Sequence, residues 1–166
     1  MGALMELRRI LPFLALVLLA TPASAAPKPT PQDLKAVQTC LAGQEGELGA
    51  KCIGMIADAC IKAAENKELG NVAVDKANAC AARELAVWEA QLETELKAVK
   101  SGGFNDIIKA VADAQTTWRA SREKLCPVFA KVEPGMLNGA ADYCRLQETA
   151  RRVLLLRRLG EAVNPH

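Results

Sequence analysis

The chain has 166 residues and a formal net charge of +2, and 51% of its residues are hydrophobic but only 4% are aromatic. A charge this close to neutral, without a basic stripe that alternates with aromatic residues, argues against a nucleic-acid partner. No apolar run reaches the roughly 20 residues that a helix needs to cross a bilayer.

The first 25 residues have the pattern of a secretory signal peptide. Arg8 and Arg9 precede an apolar stretch of 11 residues, Ile10–Ala20, and residues 23–25 form a small-residue cleavage site. Cleavage would remove two arginines and one glutamate, leaving 19 basic and 18 acidic residues and a net charge of +1. We therefore expect a periplasmic or secreted protein that keeps no stable membrane anchor after cleavage.

The next part of the chain predicts a spacer and two short helices. Residues 26–39 form a proline-rich spacer and the start of the first helix, which is predicted from Pro31 to Ala42. Thr30 is placed to cap this helix, and Gly43 is placed to end it. A second helix is predicted from about Ala50 to Glu65, and a polar loop follows it.

A long amphipathic helix is predicted from about Asp75 to Lys100. Its apolar stripe repeats every three or four residues and consists of Leu85, Trp88, Leu92, Leu96 and Val99. Four glutamates are assigned to its other faces: Glu84, Glu89, Glu93 and Glu95. We expect Trp88 to lie in the core, and residues 101–103, Ser-Gly-Gly, to end the helix.

The fourth predicted helix, from about Asn105 to Cys126, carries polar and charged residues on the face expected to pack against the core. This stripe comprises Val111, Gln115, Trp118, Arg122 and Leu125. Pro127 follows directly and is predicted to stop the helix. Because the turn before this helix is short, the third and fourth helices should form an antiparallel hairpin.

A loop is predicted over residues 128–139, which contain Pro-Gly and Asn-Gly pairs, and a fifth helix is predicted from about Ala140 to Leu159. Its segment Val153–Leu156 is apolar around the whole helix, so it is either buried on all sides or exposed as an apolar patch. Strand signals are scarce, and the expected fold class is all-α.

Six cysteines follow the signal peptide, which in an exported chain indicates a disulfide framework. Six cysteines allow fifteen pairings, and the sequence alone does not choose among them. We expect sequential pairing, because each bond would then join one helix to the next across a short connection. The expected pairs are Cys40–Cys52, Cys60–Cys80 and Cys126–Cys144. The predicted fold is a small disulfide-tied bundle of about five helices.

Two blocks of this sequence resemble the signature of the LprI-like lysozyme-inhibitor family. The first block is Ala114-Gln115-x-x-Trp118-x-x-x-Arg122-Glu123-x-x-Cys126, and the second is Cys144-x-x-x-x-Thr149-x-x-Arg152 with Leu155. The resemblance covers about residues 60–159, and we assign a domain of this type to residues 40–160, with a tail over 161–166. The family-pattern positions outside the cysteines are Gln115, Trp118, Arg122, Glu123, Thr149 and Arg152.

The resemblance implies an exported, helical, non-enzymatic domain that binds a protein partner such as a c-type lysozyme. Its expected mechanism is steric occlusion of the active-site cleft of a lysozyme or related envelope glycosidase. The loop Pro127–Gly139 is a candidate for insertion towards the catalytic carboxylates, and Glu89 and Glu93 are candidates for an acidic face that attracts a basic target. The alternative is a structural or stress-related envelope protein that binds another periplasmic protein through Val153–Leu156.

Several polar residues also have purely structural interpretations. Arg122 is expected to pair with Glu84 or Glu148, since a buried guanidinium requires a partner. Gln115 is expected to bond to a carbonyl at a helix end or in a loop. Glu148 and Arg152 are four residues apart and are expected to pair along the helix. The arginines of the fifth helix are expected to form a solvated face: Arg151, Arg152, Arg157 and Arg158.

Catalytic, metal and cofactor sites are not predicted. The only histidine is His166, and the chain has no CxxC motif, nucleophile elbow or glycine-rich phosphate loop. We therefore expect no catalytic residues, no metal site, no cofactor and no enzymatic activity.

Overall fold

The computed structural model describes residues 28–43, 50–67, 74–132 and 140–165. These residues form helices and turns and contain no strand, which confirms the all-α prediction. The helices are α1 (Pro31–Ala42), α2 (Met55–Lys67), α3 (Val74–Ser101), α4 (Asn105–Val132) and α5 (Ala140–Val163). The predicted signal peptide lies outside the described residues. No described helix is long and apolar enough to span a membrane.

Helix α3 lies at the centre of the bundle and contacts α5, α2 and α1, while α4 packs on α5. Helices α3 and α5 run in the same direction, because Asn164 near the end of α5 donates to the carbonyl of Ala98 near the end of α3 at 2.9 Å. Helix α4 returns antiparallel to α3 after a short turn. The predicted hairpin is therefore present, and the turn includes Gly103, whose positive φ of 77° suits glycine.

The core is built mainly from α3 and α5. Trp88 and Leu92 of α3 and Leu146 and Val153 of α5 have no exposed surface. Helices α1 and α2 add Val37, Leu41, Ile56 and Ala57. The prediction for Trp88 is confirmed. Burying apolar side chains of this size contributes about 1.5–3 kcal/mol each.

The segment Val153–Leu156 combines both outcomes that its sequence allowed. Val153 and Leu156 are buried, Leu154 is partly buried against the core, and Leu155 has 53% of its surface exposed. The segment therefore belongs largely to the core, and it does not form a continuous apolar surface.

The two ends of α1 are capped by the residues predicted from the sequence. The Thr30 hydroxyl accepts from the N–H of Asp33 at 3.1 Å, and the N–H of Gly43 bonds to the carbonyl of Cys40 at 3.2 Å. Asp33 also accepts two bonds from Arg83 of α3, at 2.7 and 2.8 Å. These bonds from Arg83 hold the pKa of Asp33 below its usual value, against the opposing effect of burial.

Three helix boundaries differ from the predictions by more than two residues. Helix α2 begins at Met55 rather than Ala50, because residues 50–52 form a 3-10 turn and the positive φ of Gly54, 91°, is not helical. Helix α5 continues to Val163, four residues beyond the predicted end. Helix α4 differs most, because it passes through Pro127 and ends at Val132.

The predicted stop at Pro127 is therefore wrong. A proline inside a helix removes one backbone hydrogen bond and costs about 3 kcal/mol or more, but tertiary contacts can override local propensity. The preceding residue, Cys126, is fully buried and is bonded to Cys144 of α5. This anchor holds the helix against α5 on the N-terminal side of the proline.

The expected cysteine pairing is confirmed, with bonds Cys40–Cys52, Cys60–Cys80 and Cys126–Cys144. The first joins the end of α1 to the turn before α2, the second joins α2 to α3, and the third joins α4 to α5. Each bond of this loop length contributes about 2–4 kcal/mol, largely by restricting the unfolded chain.

Candidate functional site

The aromatic ring of Trp118 on α4 lies at the centre of the family-pattern residues. It is partly buried and packs against the core. The guanidinium of Arg122 lies over the ring at 4.9 Å from its centroid, and that of Arg152 from α5 lies at 5.8 Å. Both distances are within the range of cation–π attraction. The first sequence block is thus brought together with the second around one indole.

Arg122 links all three long helices. Its side chain is only 11% exposed and pairs with Glu89 of α3 and with Glu123 of α4. It also donates to the hydroxyl of Thr149 on α5. The expected pairing with Glu84 or Glu148 is wrong, because Glu89 lies nearer along the facing side of α3. The guanidinium has several donors in a fixed fork, so one side chain can hold three partners.

Glu123 extends this network to the start of α5. It accepts from Arg145 at 3.1 Å, and Arg145 also bonds to Asp142 at 2.7 Å. Burial alone would raise the pKa of Glu123, but hydrogen bonds from Arg122 and Arg145 outweigh that effect and lower it. Glu123 therefore remains a carboxylate at neutral pH and joins two arginines on different helices.

Gln115 is buried on α4, with only 6% of its surface exposed. Its Oε1 accepts from Nε of Arg152 at 2.8 Å, so the expected bond to a main-chain carbonyl is wrong. The buried Nε2 has no hydrogen-bond partner among the described residues. Because Arg152 can only donate, the oxygen must face it. The same desolvated setting lowers the pKa of Arg152.

Two further expectations for α5 are corrected by these contacts. Glu148 pairs with Arg151 at 3.1 Å rather than with Arg152, because Arg152 turns inward to Gln115 and Trp118. The arginines of α5 consequently do not form one solvated face. Arg157 also turns towards the bundle and donates to the carbonyl of Leu41 at 3.0 Å.

The carboxylate of Glu84 has a structural role that the sequence interpretation missed. It is fully buried and accepts from the N–H groups of Gly54, Ile56 and Ala57 at 2.7–2.9 Å. It also accepts from Nε1 of Trp88 at 2.8 Å. The expectation that Glu84 lies on an outer face of α3 was wrong. The sequence signal for its burial was its spacing, because Glu84 precedes Trp88 by four residues and therefore shares its face. An anion at this position caps the N-terminus of α2.

The C-terminal end of α4 presents apolar side chains to solvent. Leu125, Val128, Phe129 and Val132 are 42–70% exposed, and their spacing of three, one and three residues places them along one side of the helix. Leu125 was expected to pack with Trp118 and Arg122, but Cys126 takes the buried position instead. Of the predicted loop, residues 127–132 are helical, and residues 133–139 lie outside the described residues.

The glutamates proposed as an acidic face are paired with arginines of α4. Glu89 bonds to Arg122 and Glu93 bonds to Arg119, the latter at 2.9 Å. Their charges are therefore locally neutralised. Among the described residues, no three His, Cys, Asp or Glu side chains are grouped to hold a metal ion.

The sequence profile of the family described as lysozyme inhibitor LprI matches residues 60–156, which is more than half of the chain. The chain belongs to the LprI family. The match extends from α2 to the last buried leucine of α5, so it includes the whole network around Trp118. No curated protein and no solved structure shows significant similarity to the chain.

Proposed function

We propose that this LprI-family protein is an exported inhibitor that occludes the active-site cleft of a c-type lysozyme or a related envelope glycosidase. The family match supports the target class. The single structural observation that carries the mechanism is the exposed apolar end of α4, because a contiguous exposed patch of this kind is typical of a protein interface. The proposal includes no enzymatic activity.

The end of α4 is suited to enter a cleft. Phe129 and Val132 lie beyond Pro127 on a single helix, and Cys126 fixes that helix to α5 through its disulfide. A helix held at its base loses little conformational freedom on binding, which favours affinity. An amphipathic helix laid into a groove is also a recurrent mode of protein recognition.

Charge at this end fits the chemistry of a glycosidase cleft. Lys124 and Lys131 are exposed on α4 beside the apolar residues. Glycosidases of this class carry two carboxyl groups that flank the scissile bond. A lysine delivered beside these groups gains Coulomb energy inside the cleft, even where the target surface is basic overall. Apolar burial supplies the remaining affinity, and a lysine shielded inside the cleft is screened by salt less than an exposed pair would be.

The direct test is a peptidoglycan-clearing assay in which the oxidised protein is titrated against a c-type lysozyme. We expect dose-dependent inhibition that is lost after reduction and alkylation, since all six cysteines are bonded. An absence of inhibition at large molar excess would remove this target.

A matched pair of variants locates the inhibitory surface. Phe129→Asp should weaken inhibition by at least about tenfold, because hot-spot aromatic residues contribute about 2 kcal/mol or more to binding. Phe104→Asp makes the same change at the opposite end of α4, where the ring is 52% exposed. Equal inhibition by these two variants would contradict the assignment of the binding surface.

A periplasmic or secreted location is part of the proposal. Three disulfides support it, because such bonds persist in oxidising compartments. The alternative, an envelope protein that binds a partner through Val153–Leu156, has less support because Val153 and Leu156 lie in the core. Leu155→Asp separates the two hypotheses, since it alters the exposed part of that segment and leaves α4 intact. The alternative predicts that this variant loses binding to its partner, whereas the proposed mechanism predicts unchanged lysozyme inhibition.

A further inference from the structure

An open cavity of about 500 Å³ lies where helices α1, α3 and α5 end. Its small and apolar lining residues belong to the last turns of these helices: Leu41, Ala42, Ala98 and Gly160. The volume is within the range found for small-ligand sites. The apolar end of α4 lies elsewhere, because Leu125 is about 30 Å along that helix from its start at Asn105. The inhibitory surface therefore does not account for this cavity.

Gln91 of α3 lines the cavity and has an oxygen without a partner. Only 8% of the residue's surface is exposed, and its Nε2 donates to Oε1 of Glu95 at 2.8 Å. Because a carboxylate only accepts, the amide nitrogen must face Glu95, which leaves the amide oxygen to accept elsewhere. Among the described residues, Oε1 of Gln91 accepts no hydrogen bond, and the one enclosed side-chain atom without a partner is Nε2 of Gln115. Oε1 of Gln91 therefore keeps accessible surface, and a donor in the cavity can reach it.

Glu95 supplies a second acceptor close to the first. Its side chain lines the cavity, is partly exposed and forms no ion pair within the described part of the chain. The oxygen and nitrogen of one amide are about 2.2 Å apart, so Oε1 of Gln91 lies within about 5 Å of Oε1 of Glu95. A nitrogen that donates to both oxygens at about 2.8 Å each can span this separation. The two side chains thus present a pair of acceptors that one donor group can bridge.

The charge around the cavity favours a cation. Arg157 pairs with Glu161 at 3.1 Å and donates to the carbonyl of Leu41 at 3.0 Å, so its charge is compensated on the cavity wall. The negative charge of Glu95 has no such compensation. The ends of α1, α3 and α5 add to it, because the C-terminus of each helix carries the negative end of a dipole, equivalent to about half an elementary charge.

The donor and acceptor chemistry favours a primary ammonium group over a metal ion. In the described ranges, no three His, Cys, Asp or Glu side chains are grouped to hold a metal ion, whereas Ca²⁺ takes about six to eight oxygen ligands. An ammonium group has three N–H donors and a single charge, so Gln91 and Glu95 satisfy two of the donors and the charge. The apolar lining suits a short aliphatic stem.

We propose that this cavity binds a small free amine, with its primary ammonium group bridging Oε1 of Gln91 and the carboxylate of Glu95, and with its aliphatic stem against Leu41, Ala42 and Ala98. This activity is separate from lysozyme inhibition, because the cavity and the apolar end of α4 lie at opposite ends of the bundle. Either proposal can therefore fail without affecting the other.

The test is an NMR titration of the oxidised protein with pentylammonium. Because a ligand of about six non-hydrogen atoms binds weakly, the titration extends to about 50 mM at constant ionic strength. We expect saturable shifts of the Gln91 side-chain amide and of the methyl groups of Leu41, Ala42 and Ala98. An absence of saturable shifts at these groups would overturn the proposal.

Matched probes test the head group. Pentyltrimethylammonium has the same stem and charge but no N–H donor, and pentanoate has the opposite charge. Neither should produce these shifts, and equal shifts with either probe would overturn the proposal. Nα-acetyl-lysine methylamide presents the same ammonium group as a lysine side chain of a protein and should bind no more tightly than pentylammonium. Tighter binding of this probe would overturn the assignment to a free amine.

Two variants test the polar and apolar sides of the site. Glu95→Gln removes the negative charge and should weaken pentylammonium binding by at least about tenfold. Glu148→Gln makes the same change on α5, about 18 Å along the helix from Gly160, and should leave the affinity unchanged. Ala42→Leu fills the cavity from an exposed position that lines it and should weaken binding similarly. Its control is Ala63→Leu, at an exposed position of α2 outside the lining.

The variant at Ala42 tests the proposal even if Glu95→Gln alters folding, because Ala42 is exposed at the end of α1. Unchanged pentylammonium affinity in Ala42→Leu, or in a folded Glu95→Gln protein, would overturn the proposal. An equal loss of affinity in Glu148→Gln or Ala63→Leu would also overturn it, since these changes lie outside the cavity.

Discussion

Helices α3 and α4 are each 28 residues long, yet they bury different chemistry. The buried face of α3 includes Val87, Trp88 and Leu92 together with a carboxylate that has four donors. The buried residues of α4 are Gln115 and Cys126. Helix α3 therefore serves as the scaffold, whereas α4 is attached through a disulfide, an arginine network and a half-buried indole.

This difference indicates where the molecule can bind partners. Apolar burial on α3 stabilises the fold and leaves little of its apolar surface for recognition. The polar attachment of α4 leaves its C-terminal apolar residues exposed. Natural proteins often place such departures from ideal packing at functional positions. The following predictions test the contrast, from the largest expected effect to the smallest.

Replacing the scaffold carboxylate should have the largest effect. Glu84→Ala leaves four buried N–H groups without their acceptor and should lower the free energy of unfolding by about 3–5 kcal/mol. Urea denaturation followed by circular dichroism measures this change. Glu93→Ala on the same helix removes an exposed ion pair with Arg119 and should cost less than about 1 kcal/mol. Similar losses in both variants would contradict the structural role assigned to the buried Glu84 carboxylate.

Removing the disulfide of α4 should separate function from stability. The double variant Cys126→Ala with Cys144→Ala should lose about 2–4 kcal/mol, and so should Cys60→Ala with Cys80→Ala. Only the first pair anchors the apolar end of α4. We therefore expect lysozyme inhibition to fall further in the first variant, measured below the unfolding transition of both. Equal losses of inhibition would argue against a role for the anchored helix.

A conservative change in the arginine network should have an intermediate effect. Arg122→Lys keeps the charge but loses the fork that joins Glu89, Glu123 and Thr149, along with planar packing on Trp118. We expect a loss of about 1–2 kcal/mol and a change in the near-ultraviolet circular dichroism of the indole. Lys109→Arg, at an exposed pair with Asp113, should leave both measurements unchanged.

The smallest expected effect is a pH dependence of the α4 network. The pKa of Glu123 is lowered in the folded protein, so its stabilisation is present above the unfolded value of about 4.3 and is lost as pH falls through the folded pKa. Glu123→Gln should therefore be less stable than the wild type at pH 7, and this difference should shrink as pH falls through the folded pKa. The difference should stay below about 1 kcal/mol because the side chain is half exposed. A difference that grows on acidification would contradict this assignment.

The sequence predicts those features that depend on local chemistry. Thr30 and Gly43 bound α1 because capping requires only neighbouring residues. The Ser-Gly-Gly turn ends α3 for the same reason. The short connections between helices favoured sequential cysteine pairing without excluding the other pairings. The two family blocks meet around Trp118, which the resemblance by itself did not specify.

The remaining features depend on contacts between distant residues. Pro127 is a helix stop by local rules, but the Cys126–Cys144 bond and burial on α5 override them. The partner of Arg122 could not be chosen from sequence, because the relative rotations of α3, α4 and α5 decide whether Glu84, Glu89 or Glu148 faces it. Glu84 was missed because its acceptor role requires the position of the α2 N-terminus.

The most direct test of the account is a hydrogen-exchange footprint of a c-type lysozyme on the oxidised protein. We predict that lysozyme slows exchange of the backbone amides from Val128 to Val132 more than any others, because this end of α4 enters the cleft. Protection confined to α1, or to the exposed face of α5 around Leu155, would contradict the assignment of α4 as the inhibitory element.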